Sequence, residues 1–184
     1  ILFVLEPIED DQGNSLEENK NYRGYTEYDV IKMIIEILDK IDKIFGIILV
    51  PHPRQDLKKL KKQWNMSGGS QYGSVYDNRR GRDLLPFVDG VIGMASTLLY
   101  EAWLLGKIVI SIQPGLIVDS LRTLSHKKGI VFIDQYESAE EEICNWLFNL
   151  SSLPKQYNQI QDELKLHLSA AKNVADNVVL FCDN

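Results

Sequence analysis

The sequence predicts an α/β protein with a Rossmann-like parallel sheet flanked by helices. Its 184 residues are 45% hydrophobic, and chains near this size bury roughly 70% of the surface that the unfolded form exposes. Apolar runs of strand length alternate with segments that have the 3.6-residue period of amphipathic helices. Because this alternation is typical of βα units stacked on a parallel sheet, we expect a single α/β core.

The first strand is predicted at residues 1–5, followed by residues 6–25, which have no periodicity. Loops of that length are usually functional or mobile, and a disordered acidic insertion is the alternative. Thr26 is a suitable N-cap for the first helix, whose apolar residues lie on one face. Further strands are predicted at residues 46–50, 74–76, 90–93, 107–112 and 129–133, and further helices near residues 55–64, 80–88, 96–105 and 139–150.

The pattern divides the chain into two regions. Residues 1–153 are predicted to form the Rossmann-like domain, and a long, more polar helix is expected over residues 155–179. Since its apolar positions lie along one stripe, we expect residues 154–184 to pack on the domain or on a missing partner domain. No initiator Met precedes the first strand, so we expect the chain to be a piece of a longer polypeptide, cut just before that strand.

Charge and cysteine content exclude several classes of protein. The chain has 20 Lys plus Arg against 26 Asp plus Glu and a formal net charge of −6, which argues against a nucleic-acid partner. Cys144 and Cys182 are far apart and have no metal-ligand spacing, so we expect a reducing compartment, the cytoplasm. Charged residues interrupt every apolar run well before the roughly 18 residues of a spanning helix. No membrane span is expected, and peripheral membrane association stays open.

The first candidate site is the turn at residues 50–54, Val-Pro-His-Pro-Arg, after a predicted buried strand. Parallel α/β sheets bind ligands outside the carboxyl ends of their strands. Pro51 and Pro53 have a fixed φ, which stiffens the turn that presents His52 and Arg54. A histidine there can donate to a phosphate oxygen or act as an acid on a leaving group. A hydrogen-bonded structural histidine is the alternative.

The second candidate site is residues 93–97, Gly-Met-Ala-Ser-Thr, between a strand and the next helix. Ser96 or Thr97 is expected to cap that helix, whose free N–H groups and dipole attract anions. Gly93 would let the backbone approach a phosphate closely. Glu101 is a candidate partner for a ligand hydroxyl. The alternatives are simple helix capping and an exposed helix glutamate.

Other patterns add little chemistry. The acidic residues after the first strand are Glu6, Glu9, Asp10 and Asp11. They have no defined ligand geometry, so we expect no metal. The sequence has no GxSxG, GxxxxGK[ST], GxGxxG or HExxH motif, so common hydrolase and dehydrogenase functions lack support.

The two turns resemble motifs in the C-terminal, donor-binding half of the GT-B glycosyltransferases. Residues 48–54, Ile-Leu-Val-Pro-His-Pro-Arg, look like the His-Pro motif of bacterial sialyltransferase and polysialyltransferase families. Residues 91–97, Val-Ile-Gly-Met-Ala-Ser-Thr, look like their Ser-Ser/Thr motif, with the helix and strand beyond it. Capsule-polymer and glycerophosphate transferases and UDP-N-acetylglucosamine 2-epimerases share the layout. The resemblance in layout covers residues 1–133, and its motifs occupy the two short stretches.

The resemblance implies a role for each matching residue. His52 would be catalytic, contacting the donor phosphate or assisting departure of the nucleotide. Ser96 and Thr97 would bind that phosphate, although the family's first serine falls on Ala95 or Ser96 depending on alignment. Residues 10–13, Asp-Asp-Gln-Gly, are wrongly placed for the family's general-base motif, so that role is not carried over. The other expected substrate-binding residues are Pro53, Arg54, Gly93 and Glu101.

The leading hypothesis is therefore a donor-binding domain of a glycosyltransferase for surface polysaccharide synthesis. A CMP-sugar is favoured over a UDP-sugar, and no cofactor is expected besides this substrate. A GT-B active site lies between two Rossmann-like domains and this chain has room for one. We expect the glycan acceptor to bind through a missing N-terminal domain, without which the chain is inactive. The alternatives are a UDP-N-acetylglucosamine 2-epimerase-like domain and a non-catalytic sugar-nucleotide-binding or assembly module.

Overall fold

The computed structural model describes residues 1–77, 80–150, 160–165 and 167. Its centre is a six-stranded sheet in which all neighbouring strands are parallel, which confirms the predicted Rossmann-like α/β class. The strands are β1 (Leu2–Val4), β2 (Ile47–Val50), β3 (Gly73–Val75), β4 (Gly90–Gly93), β5 (Ile108–Ile112) and β6 (Ile130–Ile133). The helices are α1 (Ile8–Gln12), α2 (Glu27–Leu38), α3 (Leu57–Met66), α4 (Gly81–Leu84), α5 (Thr97–Leu104) and α6 (Tyr136–Phe148).

The strand order is β3-β2-β1-β4-β5-β6, the order of dinucleotide-binding Rossmann folds. The chain adds strands on one side of β1 up to β3 and then returns to add β4 on its other side. In the register, Val4 pairs with Val50 of β2, and Phe3 pairs with Ile92 of β4. The order therefore reverses between β1 and β4, which is where such sheets bind ligands.

Both faces of the sheet are covered. Successive side chains of a strand point to opposite faces, so Phe3 packs in the apolar cluster with α2, α3 and α6, whereas Leu2 and Val4 pack in the one with α5. Trp64 and Trp146 are among the large side chains fully buried on the first face. The short strands are held by this packing, as in other parallel sheets.

Local signals set several helix boundaries. Thr26 is the N-cap of α2 and forms a capping box with Asp29, as its sequence position predicts. The helix predicted at residues 80–88 is shorter, because α4 ends before a 3₁₀ turn that contains Pro86, whose missing N–H and ring oppose an α-helix. The expectation that residues 6–25 have no regular structure is wrong at α1, where Ile8 is buried.

The predicted C-terminal helix is described only in part. Residues 160–165 are helical, and Ile160 packs in the cluster that contains α5. Glu163 accepts a hydrogen bond from the Tyr100 hydroxyl at 2.6 Å and pairs with Lys127. The rest of residues 155–179 lies outside the described residues. Within the described part of the chain, the apolar stretches of the helices are too short for a membrane crossing.

Candidate functional site

The candidate site lies at the carboxyl ends of β1, β2 and β4, which we call the carboxyl edge. The chain leaves β1 towards Glu6, β2 towards His52 and β4 towards Ala95. Because β1 pairs with both other strands, the three exits are adjacent. The structure thus brings the two turns predicted from the sequence to the same edge of the sheet.

Glu6 connects the two turns. Its Oε2 accepts a hydrogen bond from the backbone N–H of Ala95 at 2.7 Å. Its backbone carbonyl accepts one from Gln55 Nε2, on the His52 turn, at 3.4 Å. Arg23 Nη1 lies 3.8 Å from the same Glu6 Oε2. A carboxylate therefore stands between the two predicted phosphate-binding turns.

The His52 turn is fixed by side chains as well as by prolines. Gln55 Oε1 accepts from the His52 backbone N–H at 2.8 Å, and Gln55 Nε2 donates to Glu27 Oε1 at 3.2 Å. Both Gln55 and Glu27 are buried. Burial raises the pKa of the Glu27 carboxyl, although hydrogen bonds from the Glu9 backbone and Gln55 oppose this. Glu27 thus holds Gln55, which in turn holds the backbone of His52.

The His52 ring is set up as a hydrogen-bond donor. It is half-buried, and its Nδ1 accepts from the Arg54 backbone N–H at 3.3 Å. Burial and the Arg54 charge lower the pKa of His52, while the charges of Glu6 and Asp11 oppose the shift. The ring is accordingly neutral near pH 7, and an accepting Nδ1 leaves the proton on Nε2.

Arg54 and Pro53 are exposed in this turn. The Arg54 guanidinium forms two hydrogen bonds of 2.8 Å with the carboxylate of Asp11 in α1. These bonds hold the pKa of Asp11 below its ordinary value. The arginine predicted to bind substrate is therefore already paired with an acid of α1.

The second turn begins α5. Ser96 is the N-cap, and its Oγ accepts from the Leu98 N–H at 3.3 Å. Thr97 is the first helical residue and is exposed. Gly93 is buried, and a Cβ there would lie 3.1 Å from both the Val4 carbonyl oxygen and the Leu99 side chain. The missing side chain at Gly93 therefore serves the close packing of β4.

Glu101 lies one turn into α5 and pairs with Arg82 of α4. Arg82 Nε donates to Glu101 Oε2 at 2.7 Å, and its Nη2 donates to Oε1. This bidentate pair links α4 to α5 and neutralises the carboxylate predicted to bind a ligand hydroxyl.

A buried polar network supports the second turn from below. Ser111 Oγ donates to the Met94 carbonyl at 2.6 Å, and Gln113 Nε2 lies 3.4 Å from the same oxygen. The Tyr25 hydroxyl donates to Gln113 Oε1 at 3.1 Å. Since burial raises the pKa of Tyr25, its hydroxyl stays protonated and acts as a donor. The network fixes the carbonyl that directly precedes Ala95.

Sequence reasoning missed several residues at this edge. Glu6 follows β1 as His52 follows β2, so the rule that singled out His52 also applies to it. A polar Ser111 and Gln113 at the end of an apolar strand are a second signal. The sequence gives no comparable signal that Arg23, Tyr25 and Gln55 lie at this edge. The three acids of α1 pair with basic residues: Glu9 and Asp10 with Lys59, and Asp11 with Arg54.

The opposite edge of the sheet holds a cavity of about 610 Å³. Its lining includes Phe45, Val88, Lys107 and Phe148, and none of the residues that the sequence singled out. In the ranges that the structure describes, no three His, Cys, Asp or Glu side chains are grouped so that they could hold a metal ion.

Comparison with known proteins gives no family assignment. No family model matches the chain, and no curated protein is similar to it at a significant level.

Proposed function

We propose that this chain is the nucleotide-sugar-binding domain of a glycosyltransferase for surface polysaccharide synthesis, with a CMP-sugar favoured over a UDP-sugar. One observation carries the proposal. The His52 turn follows β2 and the Ser96 turn follows β4, the strands on either side of β1, and Glu6 contacts both turns near the point where the strand order reverses. Ligands of parallel α/β sheets bind at this position.

His52 suits contact with the phosphate of a donor. Its neutral ring presents an Nε2 proton, and a nearby phosphate favours the charged imidazolium by attraction. His52 is then able to donate to the phosphate first and to support the negative charge on the departing nucleotide. Ser96 and Thr97 add hydroxyls at the start of α5, where the helix dipole favours an anion.

The other half of the reaction lies elsewhere in this proposal. The glycan acceptor and the general base belong to an N-terminal domain, and the chain alone binds the donor without transferring sugar. We propose the cytoplasm as the location. Arg54 and Glu101 take part only if a ligand exchanges with Asp11 and Arg82, their present partners.

Calorimetric titration with CMP, UDP and their sugar conjugates tests the proposal. We expect binding by the wild-type chain and a loss of about tenfold or more in His52→Ala, since a hydrogen bond to a charged group contributes roughly 1.5–3 kcal/mol. His126→Ala is the matched control, because His126 is exposed in a loop outside the carboxyl edge. Absence of binding at millimolar ligand, with wild type and His52→Ala alike, contradicts the proposal.

Ser96→Ala separates a binding role from a capping role. Loss of the N-cap hydrogen bond is expected to lower the free energy of unfolding by about 1 kcal/mol. If the hydroxyl also meets the ligand, affinity falls in addition. Reduced stability with unchanged nucleotide affinity assigns Ser96 to capping alone.

Release of N-acetylmannosamine from UDP-N-acetylglucosamine by the full-length protein favours the epimerase alternative.

A further inference from the structure

The carboxylate of Glu6 stands where the proposed function needs a ligand phosphate. It accepts the Ala95 N–H at 2.7 Å, immediately before the N-cap of α5. Its side chain is only 17% exposed. A carboxylate oxygen and a phosphate oxygen are both anionic acceptors, and they compete for the same N–H donor.

Arg23 next to Glu6 has unused hydrogen-bonding capacity. Its side chain is 13% exposed, and its Nε and Nη1 atoms are buried without an acceptor among the described residues. The 3.8 Å separation from Glu6 Oε2 is too long for a hydrogen bond. Buried guanidinium donors without acceptors are unusual in folded proteins and call for an explanation.

The surroundings of Arg23 hold it at this position. Its backbone carbonyl accepts from the Ile117 N–H at 3.0 Å, in the segment that follows β5. The adjacent Gly24 has φ 102° and approaches Gly115 so closely that a Cβ would overlap the Gly115 carbonyl oxygen. The guanidinium is therefore presented at the carboxyl edge from a fixed backbone.

We infer that Arg23 and the Ala95 N–H form an anion subsite in which Glu6 is a built-in competitor. The phosphate of a ligand binds Arg23 and displaces the Glu6 carboxylate from Ala95, since two anions on one donor repel each other. This inference rests on the proposed function, because it names the groups that the donor phosphate meets. It assigns Arg23 as a binding residue and Glu6 as the residue that limits affinity.

Titration with inorganic pyrophosphate and CMP of wild type, Glu6→Gln and Glu140→Gln tests the competition. Glutamine fills the same space and still accepts from Ala95, but it lacks the charge. We expect Glu6→Gln to bind both probes about tenfold more tightly than wild type. Glu140→Gln makes the same change at an exposed residue of α6 and is expected to match wild type. Affinity in Glu6→Gln equal to or below that of wild type overturns the inference.

Arg23→Met provides a second, independent test, which also decides the matter if Glu6→Gln does not fold. Methionine keeps an unbranched apolar side chain and removes the guanidinium. We expect anion affinity to fall about tenfold or more, because the guanidinium that pairs with the phosphate is removed. Reduced stability with unchanged affinity shows a purely structural arginine and overturns the assignment.

The outcomes separate this inference from the proposed function. If wild type binds CMP and the Glu6 and Arg23 variants bind it equally well, the inference is wrong and the proposed function stands. If neither wild type nor Glu6→Gln binds any probe, both are wrong. Ala95 gives a direct readout, since its amide NMR signal is expected to shift when pyrophosphate replaces the carboxylate.

Discussion

Replacing Tyr25 by phenylalanine tests the buried network beneath the site. Tyr25 and Gln113 are both fully buried. The Tyr25 hydroxyl donates to Gln113 Oε1 at 3.1 Å, while Gln113 Nε2 faces the oxygens of Met94, Ser111 and Leu121. Phenylalanine preserves the ring and its packing. The substitution therefore removes only the hydroxyl donor and leaves the buried Gln113 Oε1 without that hydrogen bond.

The expected loss follows from that single oxygen. A typical buried hydrogen bond contributes about 0.5–1.5 kcal/mol, and a buried acceptor left without its donor costs roughly 1–3 kcal/mol. We therefore expect Tyr25→Phe to lower the free energy of unfolding by about 1–3 kcal/mol. For a chain of this size, each kcal/mol lowers the melting temperature by roughly 2–4 °C, which gives a decrease of about 2–12 °C.

Urea unfolding followed by circular dichroism measures this loss. The transition midpoint is expected to fall while the slope m stays the same, because the surface exposed on unfolding does not change. Tyr136→Phe is the matched control. Tyr136 is 50% exposed, so its loss is expected to stay within about 0.5 kcal/mol. A Tyr25→Phe loss no larger than that of the control refutes the reasoning about the network.

Three further predictions use other parts of the fold. The NMR pH titration of the His52 ring is expected to give a midpoint below 6.5 in the free chain, rising when a phosphate ligand binds; a midpoint above 6.5 without ligand contradicts the site electrostatics. Because burial raises the pKa of Glu27, the folded state binds the Glu27 proton more tightly than the unfolded state. The free energy of unfolding is therefore expected to fall as the pH rises from the pKa of Glu27 in the unfolded chain through its pKa in the folded chain. Urea unfolding at several pH values is expected to show this slope in wild type and not in Glu27→Gln. Gly24→Ala is expected to cost about 2 kcal/mol or more, from the positive φ and the overlap with the Gly115 carbonyl oxygen. Gly106→Ala, with φ 73° and open space around the Cβ, is the control, and equal losses exclude the overlap as a cause.

Local chemistry explains which features the sequence predicts correctly. Apart from β3, the strands are mostly apolar runs, and β4 has the predicted bounds because its apolar pair Val91 and Ile92 lies between two glycines. The α2 start follows from Thr26 and Asp29, three residues apart. The positions of His52 and Ser96 follow from one rule, that the residues after parallel strands share an edge.

Long-range pairing explains what the sequence does not reveal. Glu6 reads as a solvated loop acid, yet it contacts Ala95, 89 positions away. The Tyr25 hydroxyl reaches Gln113 across 88 positions. Such contacts depend on the sheet order, with β4 next to β1, which no local periodicity specifies. Asp11 likewise pairs with Arg54 only because the exits of β1 and β2 are adjacent.

The two anionic contacts at the carboxyl edge differ in how readily a ligand replaces them. The Arg54–Asp11 pair is exposed, with the arginine side chain 63% accessible, and exposed ion pairs contribute little to stability. A phosphate can take over Arg54 at small cost. Glu6 is mostly buried and accepts a hydrogen bond from a backbone N–H, so its displacement costs more free energy. Pairing of the phosphate with Arg23 would offset that cost. In the proposed anion subsite, we therefore expect the affinity for phosphate to depend on the balance between Glu6 and Arg23 more than on Arg54. A variant of Arg54 is accordingly expected to weaken binding less than Arg23→Met does, and the reverse order in calorimetry contradicts this account.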